Sequence, residues 1–254
     1  MKITVPKSHP RFISLFYRDL LVDGVERGIT SLSGLTAHGR GEAFDYLIGE
    51  KTQLFARKAI EVAAAQLLLT KRAVISVNGN AAALVPKELV ELSQLTGALL
   101  EVNLFHRSKT REKKIAAHLK WYGAKKVLLP DVGKIPTLES NRQWISSIGQ
   151  KIADVIFVPL EDGDRTQALK KMGKTVITVD LNPLSRTAQT ADITIVDHIN
   201  RAMPLIIEKA KEFSGKKHRE LTKIIRQYDN HIQLAAVLAH INLRLRKLST
   251  VGNV

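Results

Sequence analysis

The sequence predicts an α/β fold, a Rossmann-like doubly wound parallel sheet with helical segments before and after it. Three observations lead there. Six short runs rich in Val, Ile and Leu, at 74–78, 99–103, 127–129, 155–159, 176–180 and 193–196, read as strands covered on both faces. Segments with helical spacing, at 86–95, 108–122, 138–149 and 166–172, separate most of them. Strand, helix, strand in repetition is the pattern of a parallel sheet with right-handed crossovers. Finally, small and polar residues gather at the carboxyl ends of four of the six runs, where open α/β sheets hold their ligands.

Taken in order, Phe12, Ile13, Leu15, Phe16, Leu20, Leu21 and Val25 form one apolar helix face, and Gly28 is a natural stop. The Gly-, Ser- and Thr-rich stretch 31–41, running into Ala37-His38-Gly39-Arg40-Gly41-Glu42, reads as a loop. A long Ala- and Leu-rich helix covers about 52–71. After the sheet, two or three helices occupy 201–248, with Ala235, Leu238, Ile241 and Leu245 as an apolar stripe. No repeat or low-complexity linker interrupts the 254 residues. A single unit is expected: a helical segment over 1–72, the α/β core over 73–200 and helices over 201–254.

Charge and composition narrow the function classes. Thirty-nine Lys and Arg stand against 24 Asp and Glu, a formal net charge of +15, so the surface attracts polyanions. Two readings follow: a nucleic-acid binder, or an enzyme for phosphorylated metabolites. The densest basic runs, 107–114 and 216–226, have helical spacing and read as solvated helix faces. Aromatics are 5% of residues and do not interleave with the basic runs as single-strand binders require. Cysteine is absent, which excludes disulfides, thiolate metal sites and thiol nucleophiles. No apolar run approaches the roughly 18 residues of a membrane span, and residues 1–11 lack a signal-peptide core, so a cytoplasmic protein is expected. No histidine pair has metalloprotease spacing, and no histidine metal cluster is expected.

Residues 168–175 match a relaxed phosphate-loop pattern, but with a helix before Gly173 and a strand after it. The order is inverted for phosphate binding, and Gly173 reads as a helix C-cap. The strand ends are better candidates. Asn78-Gly79-Asn80 lets a phosphate approach backbone amides, with Lys87 to neutralise it. Glu161, Asp162 and Asp164 suit Mg²⁺ or an ammonium group, or alternatively a turn with an Asp N-cap. Asp180 suits ribose hydroxyls, and Arg186 and Thr187 suit phosphate. Asp197-His198 sits at the sixth strand's end.

These segments carry a family likeness. Ser8-His9-Pro10-Arg11, the string from Ala37 to Glu50, Ser76 to Asn80, Ala83 to Glu88, Val158 to Thr166 and Asp180 to Arg186 closely resemble archaeal phosphopantothenate synthetase, the 4-phosphopantoate–β-alanine ligase family. The resemblance implies an ATP-dependent ligase of coenzyme A biosynthesis. In that reaction ATP and Mg²⁺ convert the carboxylate of 4-phosphopantoate to an acyl-adenylate with release of pyrophosphate, and β-alanine attacks it, giving 4'-phosphopantothenate and AMP. It also implies a homodimer, with no nucleic acid expected. Carried over by motif, the ATP contacts are Arg18, Arg40, Asp180, Leu181, Asn182, Arg186, Thr187, His198 and Ile199. Thr187 stands where the family commonly has Ser, and His198 where it commonly has Asn. Arg40, His38 and Asp164 are the catalytic candidates. Asn78, Gly79, Asn80 and Lys87 are candidates for phosphopantoate. Glu161, Asp162, Asp164 and His38 remain open as the group that holds the β-alanine amine or takes its proton.

Overall fold

The computed structural model describes residues 5–160 and 163–250. Three helices come first: α1 (Phe12–Glu26), α2 (Leu32–Ile48) and α3 (Leu54–Leu69). The α/β part follows as β1 (Ala73–Val77), α4 (Gly79–Leu84), α5 (Pro86–Thr96), β2 (Leu99–Val102), α6 (Lys109–Trp121), β3 (Val127–Leu128), β4 (Gly133–Lys134), β5 (Trp144–Ile145), β6 (Val155–Val158), α7 (Gly163–Lys171), β7 (Thr175–Val179), α8 (Arg186–Thr190) and β8 (Ile193–Ile195). Helices α9 (Ile199–Phe213), α10 (His218–Arg226) and α11 (Asn230–Thr250) complete it. Among the described residues no helix is long and apolar enough to cross a membrane.

All six strands expected from the sequence pair in one parallel sheet, in the order β3-β2-β1-β6-β7-β8. The direction of winding reverses between β1 and β6, so the loops leaving those two strands diverge and open a crevice at their carboxyl ends. Side chains alternate between two cores. Ile75, Val77, Phe157, Ile177 and Val179 join the larger core, which contains α3, α5 and α9. Val74, Ile156, Val158 and Val176 face Ala168 and Leu169 of α7, with Ile145 of β5. Each fully buried side chain of this kind stabilises the fold by roughly 1.5–3 kcal/mol.

Three expectations are corrected. Residues 31–41 are not a loop; they form the first half of α2. Glycines disfavour a helix by about 1 kcal/mol each, but α2 is fastened at both ends. Asn80 Nδ2 donates to the Gly34 carbonyl at 2.8 Å, while Asn80 Oδ1 accepts from the Thr30 hydroxyl. At the far end Asp45 takes two hydrogen bonds from Arg201, at 3.0 and 2.5 Å. Gly34 has a positive reason to be glycine, since a Cβ there would lie 2.3 Å from Asn80 Oδ1.

Residues 138–149 are not a helix either. They hold a 3-10 turn (Asn141–Gln143) and β5, paired antiparallel with β4. Side chains of other elements take their backbone groups instead. Asn103 Nδ2 donates to the carbonyls of Arg142 and Trp144, and Glu101 accepts from the amides of Ser146 and Gln150. On α11 the buried residues are Leu234 and Val237, whereas Leu238 and Leu245 of the expected stripe are exposed. The helix docks through Leu234, Val237 and Ile241, a face that shares only Ile241 with that stripe. The Gly173 C-cap is as expected, with φ +75° and its amide on the Lys170 carbonyl.

Gly79 opens α4 against the loop that leads into α2. A Cβ there would sit 2.6 Å from the Ile29 carbonyl oxygen and 2.9 Å from Thr30 Cα, both backbone atoms that cannot swing away. Gly79→Ala is therefore expected to destabilise the protein by about 1–3 kcal/mol. Gly39→Ala, with nothing within 4 Å of its Cβ, is expected to stabilise it by about 0.5–1 kcal/mol. Urea unfolding midpoints compare the two.

Candidate functional site

The crevice at the β1/β6 divergence is a cavity of about 810 Å³. Each wall has a structural reason. Asn78 caps α4 by accepting from the Ala81 amide at 2.9 Å, which brings Gly79 and Asn80 to the floor. The first half of α2, clamped by Asn80, supplies His38, Arg40 and Gly41. After β7, Asp180 accepts from the Asn182 amide at 2.9 Å and from the Ser185 hydroxyl, and Ser185 caps α8 through Ala188. That turn presents Leu181, Asn182, Arg186 and Thr187. His198 N-caps α9 through the Asn200 amide, which places His198 and Ile199 in the wall.

Thirteen of the fifteen residues singled out from the sequence thus line one cavity. Arg18 and Lys87 do not. The Arg18 side chain is 56% exposed, near Asp19 at 3.6 Å, and Lys87 points to solvent from the first turn of α5. Glu161 and Asp162 lie outside the described residues. Asn80 lines the cavity, but its amide group is engaged in holding Thr30 and Gly34. Its role is to position α2 as much as to meet a ligand.

Sequence reasoning missed two cations. Arg111 and Arg142 line the cavity together with Arg40 and Arg186. Arg111 lies in a basic run that reads as a solvated face. Yet it turns inward, donating to the carbonyls of His106 at 2.9 Å and Ile29 at 3.1 Å. No carboxylate among the described residues pairs with it, its Nε has no partner there, and burial lowers its pKa. A guanidinium fixed by carbonyls and not neutralised attracts an anion. Arg186 pairs with Asp164, but both side chains are mostly exposed (64% and 70%), so the pair contributes little to stability.

The expectation of no histidine cluster is also corrected. His38 and Glu42, one turn apart on α2, meet His198, and their ligand-type atoms lie within 4.8 Å of one another. His198 stacks on Tyr17 at 5.0 Å, and His38 meets it edge-on at 5.6 Å. Burial, with His38 and Arg201 nearby, pushes the His198 pKa down to about 3, so it is neutral at pH 7. His38 Nε2 is 3.6 Å from Glu42, an ion-pair distance, and Glu42 is held below the usual carboxylate range chiefly by His38. Two imidazoles and one carboxylate form a donor set of borderline softness. Spacing along the chain could not disclose it, because His198 arrives from the end of β8.

Behind the cavity floor lies a buried polar network. Arg165 donates to Asn103 Oδ1 at 2.8 Å and Ser76 Oγ at 2.7 Å. Glu101 accepts from Ser146, from the Gln150 amide and from Gln150 Nε2 at 2.7–2.8 Å.

The sequence profile of the phosphopantothenate/pantothenate synthetase family matches residues 55–244. The chain belongs to that family. Relatives of the same class are found along nearly the whole length. The 4-phosphopantoate–β-alanine ligase of Thermococcus kodakarensis is 52% identical over 252 residues, 98% of this chain and 97% of the relative. That of Methanosarcina mazei is 48% identical over 245 residues, covering 96% and 97%. That of Methanospirillum hungatei is 46% identical over 221 residues, covering 87% and 90%. The family match takes in β1 to β8, hence most of the cavity walls. The helix that supplies His38 and Arg40 precedes it and is covered by the full-length relatives.

Burial raises the Glu101 pKa to about 7 against the three N–H donors and Arg165, which pull it down. The folded state then holds its proton more tightly than the unfolded chain, whose Glu titrates near 4.5. Stability from this group is full below pH ~4.5, declines as pH rises to about 7, and is level above that. Glu101→Gln is expected to remove that decline. Unfolding free energies at pH 5, 6, 7 and 8, taken as variant minus wild type, measure it, and a difference that does not change with pH would contradict it.

Proposed function

We propose that this protein is an ATP-dependent ligase that joins 4-phosphopantoate to β-alanine through an acyl-adenylate, giving 4'-phosphopantothenate and releasing pyrophosphate at adenylation and AMP at acyl transfer. The observation that carries the reading is the concentration of four arginines, Arg40, Arg111, Arg142 and Arg186, around one cavity at the sheet's divergence. The reaction brings two polyanions together. Guanidinium groups fixed by the fold offset their repulsion and stand ready for the charge that develops during adenylation. Holding the reactants in line contributes about 7–11 kcal/mol more.

The β7–α8 turn fits the nucleotide. Asp180 and Asn182 suit ribose hydroxyls, Arg186 and Thr187 suit phosphate oxygens, and the α9 start suits the base. The α4 start with Arg111 suits the phosphate of the acid. Arg40, from α2 above both, suits the oxygens between them. Asp180, Asn182 and Ser185 form an oxygen-only donor set in the cavity wall. That is the chemistry Mg²⁺ takes from proteins when phosphates supply its other ligands. These residues would hold it, and once bound it would neutralise phosphate charge.

β-Alanine arrives as an ammonium ion and must lose a proton before attack. His38, on the cavity wall with its Nε2 3.6 Å from Glu42, and Asp164, beside Arg186, are the described groups placed to take it. The exposed Leu238, Leu245 and Leu248 of α11 favour a second copy of the chain as partner. The cytoplasm is the compartment that supplies the substrates. Binding of nucleic acid is not favoured, because the inward-facing arginines lie in a pocket of small-molecule size.

Purified protein incubated with ATP, Mg²⁺, 4-phosphopantoate and β-alanine is expected to form AMP only when all are present. Arg40→Ala is expected to lower kcat/KM by on the order of 10²–10³. AMP formation without β-alanine as product acceptor, or full activity in Arg40→Ala, would count against the assignment.

A further inference from the structure

A second groove, of about 360 Å³, adjoins the cavity. Its lining comprises Thr137, Leu138, Glu139 and Ser140 on one side and Asp164, Gln167, Ala168 and Lys171 on the other. Asp164 is the one residue that lines both spaces. The α7 residues stand at i, i+3, i+4 and i+7, a single helix face. Acidic and basic groups thus stand at the two ends of one straight edge. Lys171 is exposed, and no carboxylate among the described residues pairs with it.

We propose that this groove holds the amine substrate, an ω-amino acid zwitterion, with its ammonium on Asp164 and its carboxylate on Lys171. The inference rests on the ligase reading and supplies the site of its second substrate. Charge separates the two spaces. The cavity carries four arginines and draws phosphorylated molecules. The groove carries both signs and suits a zwitterion. Length agrees as well. From i to i+7 a helix rises roughly 10.5 Å. An extended β-amino acid measures about 5 Å from nitrogen to carboxylate oxygen. Two charge-assisted contacts of about 2.8 Å complete the span. Orientation follows from Asp164, which pairs with Arg186 and so places the ammonium beside the nucleotide-facing guanidinium. The nitrogen's lone pair, once a proton has left, lies nearest the activated acyl group. Glu139 adds a second acid to the groove and Gln167 an amide.

The test uses the full untagged chain in two series, β-alanine varied at saturating ATP and 4-phosphopantoate, and ATP varied at saturating β-alanine and 4-phosphopantoate, for wild type, Lys171→Ala and Lys171→Arg. Lys171→Ala is expected to raise KM for β-alanine tenfold or more, with KM for ATP and kcat within twofold of wild type. Lys171→Arg is expected to recover most of the loss. Propylamine, which has no carboxylate, is expected to discriminate poorly between wild type and Lys171→Ala. Lys171 ends α7 at the surface, so the fold survives the change. An unaltered KM for β-alanine in Lys171→Ala, or a parallel rise in KM for ATP, overturns the groove alone. A wild-type protein that does not turn over β-alanine overturns the ligase reading and the groove with it.

Discussion

Arg165 is 1% exposed, and a buried guanidinium constrains everything attached to its partners. Desolvation lowers its pKa to about 10, still leaving it charged at neutral pH, and Glu101 opposes that shift. Removing one partner of such a group leaves an uncompensated buried charge, at a cost of several kcal/mol. Its two bonds tie the first turn of α7 to β1 through Ser76 and to the end of β2 through Asn103. Asn103 in turn holds the carbonyls of Arg142 and Trp144. One buried cation therefore sets the position of Asp164, of Arg142 and of the hairpin wall that faces α7.

The same logic recurs on the other side of the divergence. Asn80 fastens Thr30 and Gly34, so the glycine-containing start of α2 lies across the cavity mouth. Arg201, shared between Asp45 and Asp197, anchors its far end. Function-bearing arginines thus come from four separate elements. Arg111 is aimed by two backbone carbonyls, Asn103 holds the backbone of Arg142, and Arg186 pairs with Asp164. A cavity lined by arginines that the fold brings together offers the preorganisation that adenylation chemistry uses.

Much of this was legible in the sequence. The six strands were readable because parallel strands covered on both faces must be short and uniformly apolar. The strand ends at 78–80 and 180–187 were readable because small and polar residues at the carboxyl ends of such runs leave room and hydrogen-bonding groups for a ligand. Three features were not. The start of α2 contains three glycines, and its helicity comes from Asn80 and Arg201, contacts made far along the chain. Residues 138–149 carry helical spacing, yet Asn103 and Glu101 draw their backbone groups into a turn and a short strand. Arg111 sits in a run of charges with the periodicity of a solvated helix. Only the carbonyls of Ile29 and His106 reveal that it faces inward. Arg18 and Lys87, singled out by motif and charge, do not line the cavity of the single chain.

What unites these observations is that one chain holds two polyanions side by side at the β1/β6 divergence. The most direct measurement is a calorimetric titration of 4-phosphopantoate into protein already saturated with a non-hydrolysable ATP analogue, without β-alanine. The account predicts one phosphopantoate per chain bound without displacement of the nucleotide, with an affinity that falls as salt is raised. Displacement of the analogue by phosphopantoate, so that the two compete for one position, would contradict it.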